Sequence, residues 1–132
     1  MNTLSTFDSR SSFWPLRFLT ILSLLMSPFL HAGELSEPAK IEALITTIES
    51  MSDAKFVRNG SEYSAKNAAK FLRGKWDANK DEVKTAGDFI DRIATKSSTT
   101  GKPYLIRPNG AAETPCADFL RSRLKQIEAA AK

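Results

Sequence analysis

The feature that most limits what this chain can fold into is a short apolar run near its amino terminus, residues 18–30 (FLTILSLLMSPFL). Arg10 and Arg17 precede the run, and Ala32 follows it as a small residue at the expected cleavage position. This order of charged, apolar and small residues is typical of a secretory signal peptide. Because the run is shorter than the roughly 20 apolar residues of a membrane-spanning helix, we predict a cleaved signal peptide over residues 1–32 and no membrane span after cleavage.

The remaining residues, 33–132, have the length of a single small domain with one hydrophobic core. The full chain has 19 Lys and Arg against 15 Asp and Glu, which gives a formal net charge of +4. Basic and acidic residues are mixed along the chain, whereas a nucleic-acid-binding protein needs a concentrated basic face. We therefore expect that the protein binds no nucleic acid. The predicted signal peptide indicates a periplasmic location, and the oligomeric state stays open.

Histidine and cysteine are scarce, and this restricts the chemistry of the predicted domain. The one histidine, His31, lies in the predicted signal peptide, and the one cysteine is Cys116. A Ser-His-Asp triad, a Cys-His pair and a His-ligated zinc site all need an imidazole. Cys116 falls on the apolar stripe of a predicted helix, where a buried and inert thiol is expected. We predict that the domain has no metal site, no cofactor and no catalytic residue.

Hydrophobic periodicity in residues 33–132 predicts four helices. Their expected amino-terminal caps are Ser36, Ser64, Thr85 and Thr114. Residues 55–58 are typical of a short extended segment and precede a strong turn signal, Asn59-Gly60. Residues 61–63 then either pair back with them as a second short strand or lead directly into the next helix. Residues 102–107 are typical of one further short strand. We expect a single compact, mainly α (α+β) domain of about four helices with a small two-stranded β element.

Polar side chains flank two Asn-Gly turns and a hydroxyl-rich loop at residues 95–101, and we predict that they converge into one anion-binding pocket. The candidate ligand-binding residues are Arg58, Asn59, Ser97, Ser98, Lys102, Tyr104, Arg107 and Arg123. The plain alternative for the loop is a surface connection. Arg123 falls within the apolar arc of the last helix, either with its guanidinium at the rim or paired with a carboxylate or an anionic ligand.

The second helix carries two further candidate surfaces. Lys66, Lys70 and Arg73 share one face, which is a solvated basic stripe or an anion-binding surface. Phe71 lies off the apolar stripe, so it either meets another element or stays exposed as a partner site.

Two sequence patterns keep a small envelope hydrolase open as the alternative function. Ser52 and Lys55 fit the Ser-x-x-Lys acylation motif, although its companion motifs are missing. Glu62 with Asp77 or Asp88 supplies a nominal pair of carboxylates for glycosidic cleavage. A phosphate loop at residues 97–102 is excluded, because a proline follows the lysine and a helix precedes the loop.

Four blocks of the sequence together resemble the YfeK-like proteins, small exported bacterial proteins of unknown function. The most specific blocks are Arg58-Asn59-Gly60 and Ser97-Ser98-x-x-Gly101-x-Pro103-Tyr104, and the resemblance runs from about residue 41 to residue 127. It implies a bacterial, periplasmic setting and supplies no activity, ligand or catalytic residue. The expected function is therefore non-catalytic binding of an envelope protein or an anionic envelope component. A purely structural envelope protein is a third interpretation.

Overall fold

The computed structural model describes residues 33–132, and the predicted signal peptide lies outside the described residues. The elements in chain order are α1 (Glu37–Glu49), β1 (Lys55–Arg58), β2 (Ser61–Ser64), α2 (Ala65–Asp77), α3 (Ala86–Asp88), a π-helical segment (Phe89–Ile93), β3 (Leu105–Arg107), β4 (Thr114–Pro115) and α4 (Cys116–Ala130). None of the helices in this part of the chain is both long and apolar enough to cross a membrane.

Three of the four predicted helix caps are confirmed. Ser36 Oγ and Ser64 Oγ each accept a main-chain N–H three residues further on. Thr85 and Asp88 form a reciprocal capping box, which satisfies two donors that a helix start leaves unpaired. The prediction of the fourth cap is wrong. Thr114 belongs to β4, where it pairs with Ile106 of β3, and α4 begins two residues later.

The expected two-stranded β element is also wrong, because the structure has a four-stranded antiparallel sheet in the order β2-β1-β3-β4. The β1–β2 hairpin forms around a tight turn, with positive φ at Asn59 (51°) and Gly60 (80°). β3 then pairs with the other side of β1, and β4 extends the sheet by two residues. Strands of two to four residues are too short to show the alternating pattern by which strands are recognised.

The helices cover one face of this sheet, and the hydrophobic core lies between them. Phe56 of β1 and Ile106 of β3 are paired neighbours that point into the core, where they are 2% and 1% exposed. Lys55 and Arg107 are paired on the opposite face, and both are exposed. Each large apolar side chain buried in such a core contributes about 1.5–3 kcal/mol.

Candidate functional site

Asn59 and Ser97 are the predicted site residues that the fold brings together by a hydrogen bond. Asn59 Nδ2 donates to Ser97 Oγ at 3.3 Å, and Thr100 Oγ1 donates to Asn59 Oδ1. Ser97 is 1% exposed and also shares a hydrogen bond with Thr99. These bonds tie the tip of the β1–β2 hairpin to the loop at residues 95–101. They use polar atoms that a ligand would need, so this cluster holds the loop in place.

Arg58 and Arg107 lie on opposite faces of the sheet, so the predicted single pocket does not form. Arg107 pairs with Lys55, which is three residues before Arg58 on β1, and side chains alternate between faces along a strand. On its own face Arg107 donates to Glu62 at 2.7 Å and to Glu113 at 3.0 Å. Arg107 is therefore neutralised by two carboxylates, while Arg58 points toward the helices.

The other predicted site residues are dispersed. Ser98 and Lys102 are exposed on the loop, whereas Tyr104 is buried at 1% exposure. Arg123 is exposed on α4, where it donates to Thr47 Oγ1 at 3.3 Å and to Gln126 Oε1 at 2.8 Å. Of the two interpretations of Arg123, the rim side chain is therefore the one that the structure favours.

A groove of about 660 Å³ opens between α2 and the core-facing side of the β1–β2 hairpin. We call it the hairpin groove, and its lining residues are Phe56, Arg58, Tyr63, Asn67, Ala68, Lys70, Phe71, Gly74 and Lys75. Three of these residues, Phe56, Tyr63 and Phe71, are aromatic. Its volume falls in the range of about 300–1,000 Å³ that small-molecule sites occupy.

Two local sequence features shape the hairpin groove. On α2, residues 67, 70, 71 and 74 follow the i, i+3, i+4, i+7 spacing of one helix face. On the hairpin, Phe56 is paired with Tyr63, and Arg58 follows Phe56 by two residues, so these three side chains share a face. The groove is the space where this helix face meets this hairpin face.

Arg58 is the least satisfied cation in the hairpin groove. Its guanidinium lies over the Phe71 ring, 4.7 Å from the ring centroid. Its Nε is buried and has no hydrogen-bond acceptor among the residues that the structure describes. A buried donor without a partner costs about 1–3 kcal/mol. In contrast, Arg73 and Arg121 each pair with two carboxylates.

Lys75 and Lys70 add positive charge to the groove in different ways. The Lys75 ammonium donates to the carbonyls of Ile93 and Lys96 and to the Tyr104 hydroxyl, at 3.1–3.3 Å. An ammonium has three donors, so Lys75 has no donor left for a ligand. Lys70 is exposed and has no ion pair within residues 33–132. Arg58 and Lys70 therefore carry the donors available to an anion.

Gly74 keeps one wall of the groove open. It lies inside α2, and a Cβ added there meets no atom within 4 Å. Its φ is not in the positive range that favours glycine, so neither backbone conformation nor close packing requires it. A glycine inside a helix costs about 0.5–1 kcal/mol relative to alanine. What glycine provides at this position is empty space in the hairpin groove.

The Ser-x-x-Lys pattern and Glu62 are not arranged as catalytic groups. Ser52 and Lys55 are both exposed, and no hydrogen bond joins their side chains in the described part of the chain. Glu62 is held by Arg107 on the sheet face that points away from the hairpin groove. The carboxylate predicted as one half of a catalytic pair thus forms an ion pair.

Asp77 and Asp88, the predicted catalytic partners of Glu62, are also engaged in contacts within the protein. Asp77 pairs with Lys80 at 3.1 Å on an exposed surface. Asp88 accepts the main-chain N–H groups of Lys84 and Thr85, and these hydrogen bonds hold its pKa below the ordinary value. A catalytic acid needs a raised pKa, so Asp88 has the opposite shift. Its environment is that of a helix cap.

Cys116 is buried at 0% exposure, as predicted. Burial raises the pKa of its thiol to about 12. A thiolate is the reactive form of cysteine, and at neutral pH this side chain stays a thiol.

The importance of the α2 face at residues 67–74 was not predicted, although part of the signal was present. Phe71 meets other elements rather than staying exposed: its ring packs edge-on against Tyr104 at 5.9 Å between centroids. The predicted basic face of Lys66, Lys70 and Arg73 is divided in the structure, because Arg73 pairs with Glu42 and Glu49 of α1. Gly74 beside a lysine and an aromatic residue was the available signal of an open helix face.

Comparisons with known proteins place the chain among proteins without an assigned function. Residues 35–128 match the Family of unknown function (DUF5329). The "Uncharacterized protein YfeK" of Salmonella typhimurium is 40% identical over 68 residues, which cover 52% of this chain and 57% of that protein. The chain thus matches little more than half the length of this relative. No solved structure is significantly similar to the chain.

Proposed function

This chain belongs to the DUF5329 family of unknown function, and we propose that it is a non-catalytic binding module whose hairpin groove holds an anionic ligand with an apolar body. The observation that carries the proposal is Arg58, a cation stacked on Phe71 with a buried donor that has no acceptor among the described residues. The hairpin groove is lined by three cations, Arg58 included, and by three aromatic rings, and no carboxylate of residues 33–132 lines it.

An anion in the hairpin groove supplies the hydrogen-bond acceptor that Arg58 Nε lacks among the described residues. A guanidinium binds a carboxylate or phosphate through two parallel hydrogen bonds, and stacking on Phe71 already restricts the rotation of the Arg58 side chain. Lys70 adds a second charge from α2. The apolar body of the ligand then covers Tyr63, which is 38% exposed in the free protein. Burial of each 100 Å² of apolar surface contributes about 2.5 kcal/mol before the costs of association.

The residues that line the hairpin groove support binding better than they support the alternative function, a small hydrolase. The carboxylates predicted for glycosidic cleavage are engaged with Arg107, Lys80 and the main chain of α3. The groove walls supply positive charge and apolar surface, which bind and orient an anion. Glycosidic cleavage needs carboxyl groups in the cleft, and none of the described residues that line the hairpin groove is Asp or Glu.

The proposed test compares two ring systems that differ only in charge. We expect naphthalene-2-carboxylate to bind in the hairpin groove and to shift the NMR resonances of Tyr63 and Phe71. We expect naphthalene-2-carboxamide, which is neutral, to bind at least about ten times more weakly, because charge-assisted hydrogen bonds contribute about 1.5–3 kcal/mol. Equal affinity for the two compounds, or shifts confined to another surface, would count against the proposal.

Two lysines on α2 provide a matched pair of variants. Lys70 lines the hairpin groove and Lys66 does not, although both are exposed and on the same helix. We expect Lys70→Ala to weaken carboxylate binding several-fold and Lys66→Ala to leave it within two-fold. Arg58→Gln is expected to weaken it by about ten-fold or more. Equal losses for the two lysine variants would show a diffuse charge effect instead of a site.

We also propose that the protein acts in the periplasm, because its first 32 residues have the order of a secretory signal peptide. Its ligand is then an envelope component or the exposed part of an envelope protein. Mass spectrometry of protein purified from the periplasmic fraction is expected to find an amino terminus near Gly33. Recovery of the intact chain, with His31 retained, contradicts export by cleavage.

A further inference from the structure

We propose that the ligand of the hairpin groove is the free carboxyl terminus of an extended peptide, which adds to β2 as a further antiparallel strand. This assignment rests on the proposed function, because it places a specific chemical class in the same groove. Three independent features of the structure support it. They are the free edge of β2, the position of Arg58 at one end of that edge, and the length of the groove.

β2 is the edge strand of the sheet order β2-β1-β3-β4, and all four of its residues are exposed. In a hairpin with a two-residue turn, the flanking residues Arg58 and Ser61 exchange main-chain hydrogen bonds, and the pattern alternates from there. The N–H and C=O of Glu62 therefore point away from β1. No other described main-chain group bonds to them, so they are available to a strand added at this edge.

The direction of the added strand follows from the position of Arg58. An antiparallel peptide runs from beside Ser64 toward Ser61 and therefore ends near the hairpin tip. Arg58 lies across from Ser61, and its side chain faces the hairpin groove. Lys70 reaches the same groove from α2. The negative charge at the end of the peptide thus arrives where the unsatisfied cation lies.

The length of the groove fits the last three residues of such a peptide. Along α2 the lining extends from Asn67 to Gly74, which is eight residues and a rise of about 10 Å along the helix. Three residues of extended chain also span about 10 Å. Alternate side chains share one face of a strand, so the last and the third-last side chains face the groove. Its aromatic walls favour apolar residues at both positions.

A second copy of this chain is a less suitable occupant of the same edge. Pairing of β2 with β2 offers the main-chain hydrogen bonds but brings no carboxylate to Arg58. Glu62 is the acidic residue of β2, and it points to the opposite face, where it binds Arg107.

The test uses pools of acetylated hexapeptides with apolar residues at the last and third-last positions. One pool has free carboxyl termini and the matched pool has terminal amides. We expect the free-acid pool to displace naphthalene-2-carboxylate and to shift the main-chain amide resonance of Glu62, as a new hydrogen bond requires. The amide pool is expected to be at least about ten times weaker. In Arg58→Gln the difference between the pools is expected to fall within two-fold.

A third pool separates strand addition from simple charge attraction. N-methylation at the second-last residue, which lies opposite Glu62, removes the main-chain donor to Glu62 without changing the terminal charge, and we expect it to weaken binding about ten-fold. If naphthalene-2-carboxylate binds but the acid and amide pools act equally or not at all, the peptide assignment is wrong and the proposed function stands. If neither that compound nor any pool shifts the groove resonances, both are wrong. A stable dimer paired through β2 also overturns the assignment.

Discussion

Replacement of Phe89 with alanine is expected to lower the free energy of unfolding by about 3–5 kcal/mol, the usual range for loss of a fully buried phenylalanine. Phe89 is 0% exposed in the π-helical segment, and its ring meets Trp76 edge-on at 6.3 Å between centroids. The cavity left by the ring lies in the centre of the core, where rigid neighbours close it only in part. Urea unfolding followed by Trp76 fluorescence and circular dichroism measures this loss.

Phe119→Ala is the matched control for this prediction. Phe119 is a partly buried phenylalanine that packs against the outside of the same core from α4. The same atoms are removed from it, but water fills the vacated space, so the cavity cost is largely absent. We expect a clearly smaller loss than for Phe89→Ala. Equal losses for the two variants would mean that the π-helical segment is not packed as described.

The helical part of the fold could be predicted because its signals are local. Ser64 caps α2 through an N–H three residues away, and the capping box of Thr85 and Asp88 spans the same distance. The apolar stripes of α1 and α2 extend over 13 residues each, long enough for a period of 3.6 to stand out. Nothing beyond neighbouring turns is needed to recognise these elements.

The sheet could be predicted only in part because most of its pairing is distant in sequence. The β1–β2 hairpin has a local turn signal at Asn59-Gly60, but β3 joins β1 from about fifty residues away. β4 has two residues, Thr114 and Pro115, and a capping residue followed by a proline is also typical of a helix start. Local chemistry alone therefore favoured the helix at that point.

The predicted pocket failed for a related physical reason. Chemical type and nearness to turns are local properties, whereas the face that each side chain occupies depends on strand register. A shift of one residue moves a side chain to the other face. The pairing of Lys55 with Arg107 places Arg107 on the face opposite Arg58, and no local pattern determines that pairing. The prediction that Arg58 belongs to a ligand site remains, with different neighbours.

The hairpin groove shows what tertiary structure adds to the sequence. Lys70, Phe71 and Gly74 share a helix face that is visible from spacing alone. Their role depends on the hairpin that lies opposite, since without it the same face is a solvated surface. The groove therefore combines a local pattern with a long-range contact. At Gly74 the α2 wall of the groove carries no side chain, and a Cβ added there meets no atom within 4 Å.

Gly74→Leu is expected to have opposite effects on stability and on binding. Leucine has a higher helix propensity than glycine by about 0.8 kcal/mol, and the added Cβ meets no neighbouring atom within 4 Å. The variant is therefore expected to unfold at the same or a higher urea concentration. Its side chain occupies the hairpin groove, so the affinity for naphthalene-2-carboxylate is expected to fall at least about ten-fold, equivalent to 1.4 kcal/mol.

Gly74→Ala separates the two effects, because it changes helix propensity in the same direction but adds only a methyl group. We expect it to raise the free energy of unfolding by about 0.5–1 kcal/mol and to leave the affinity within about two-fold. Urea unfolding and NMR titration of the same samples give both quantities. If leucine binds the carboxylate as well as alanine does, the groove beside Gly74 is not where the ligand lies. If both variants lose stability, Gly74 is required by the fold, and its presence says nothing about a ligand.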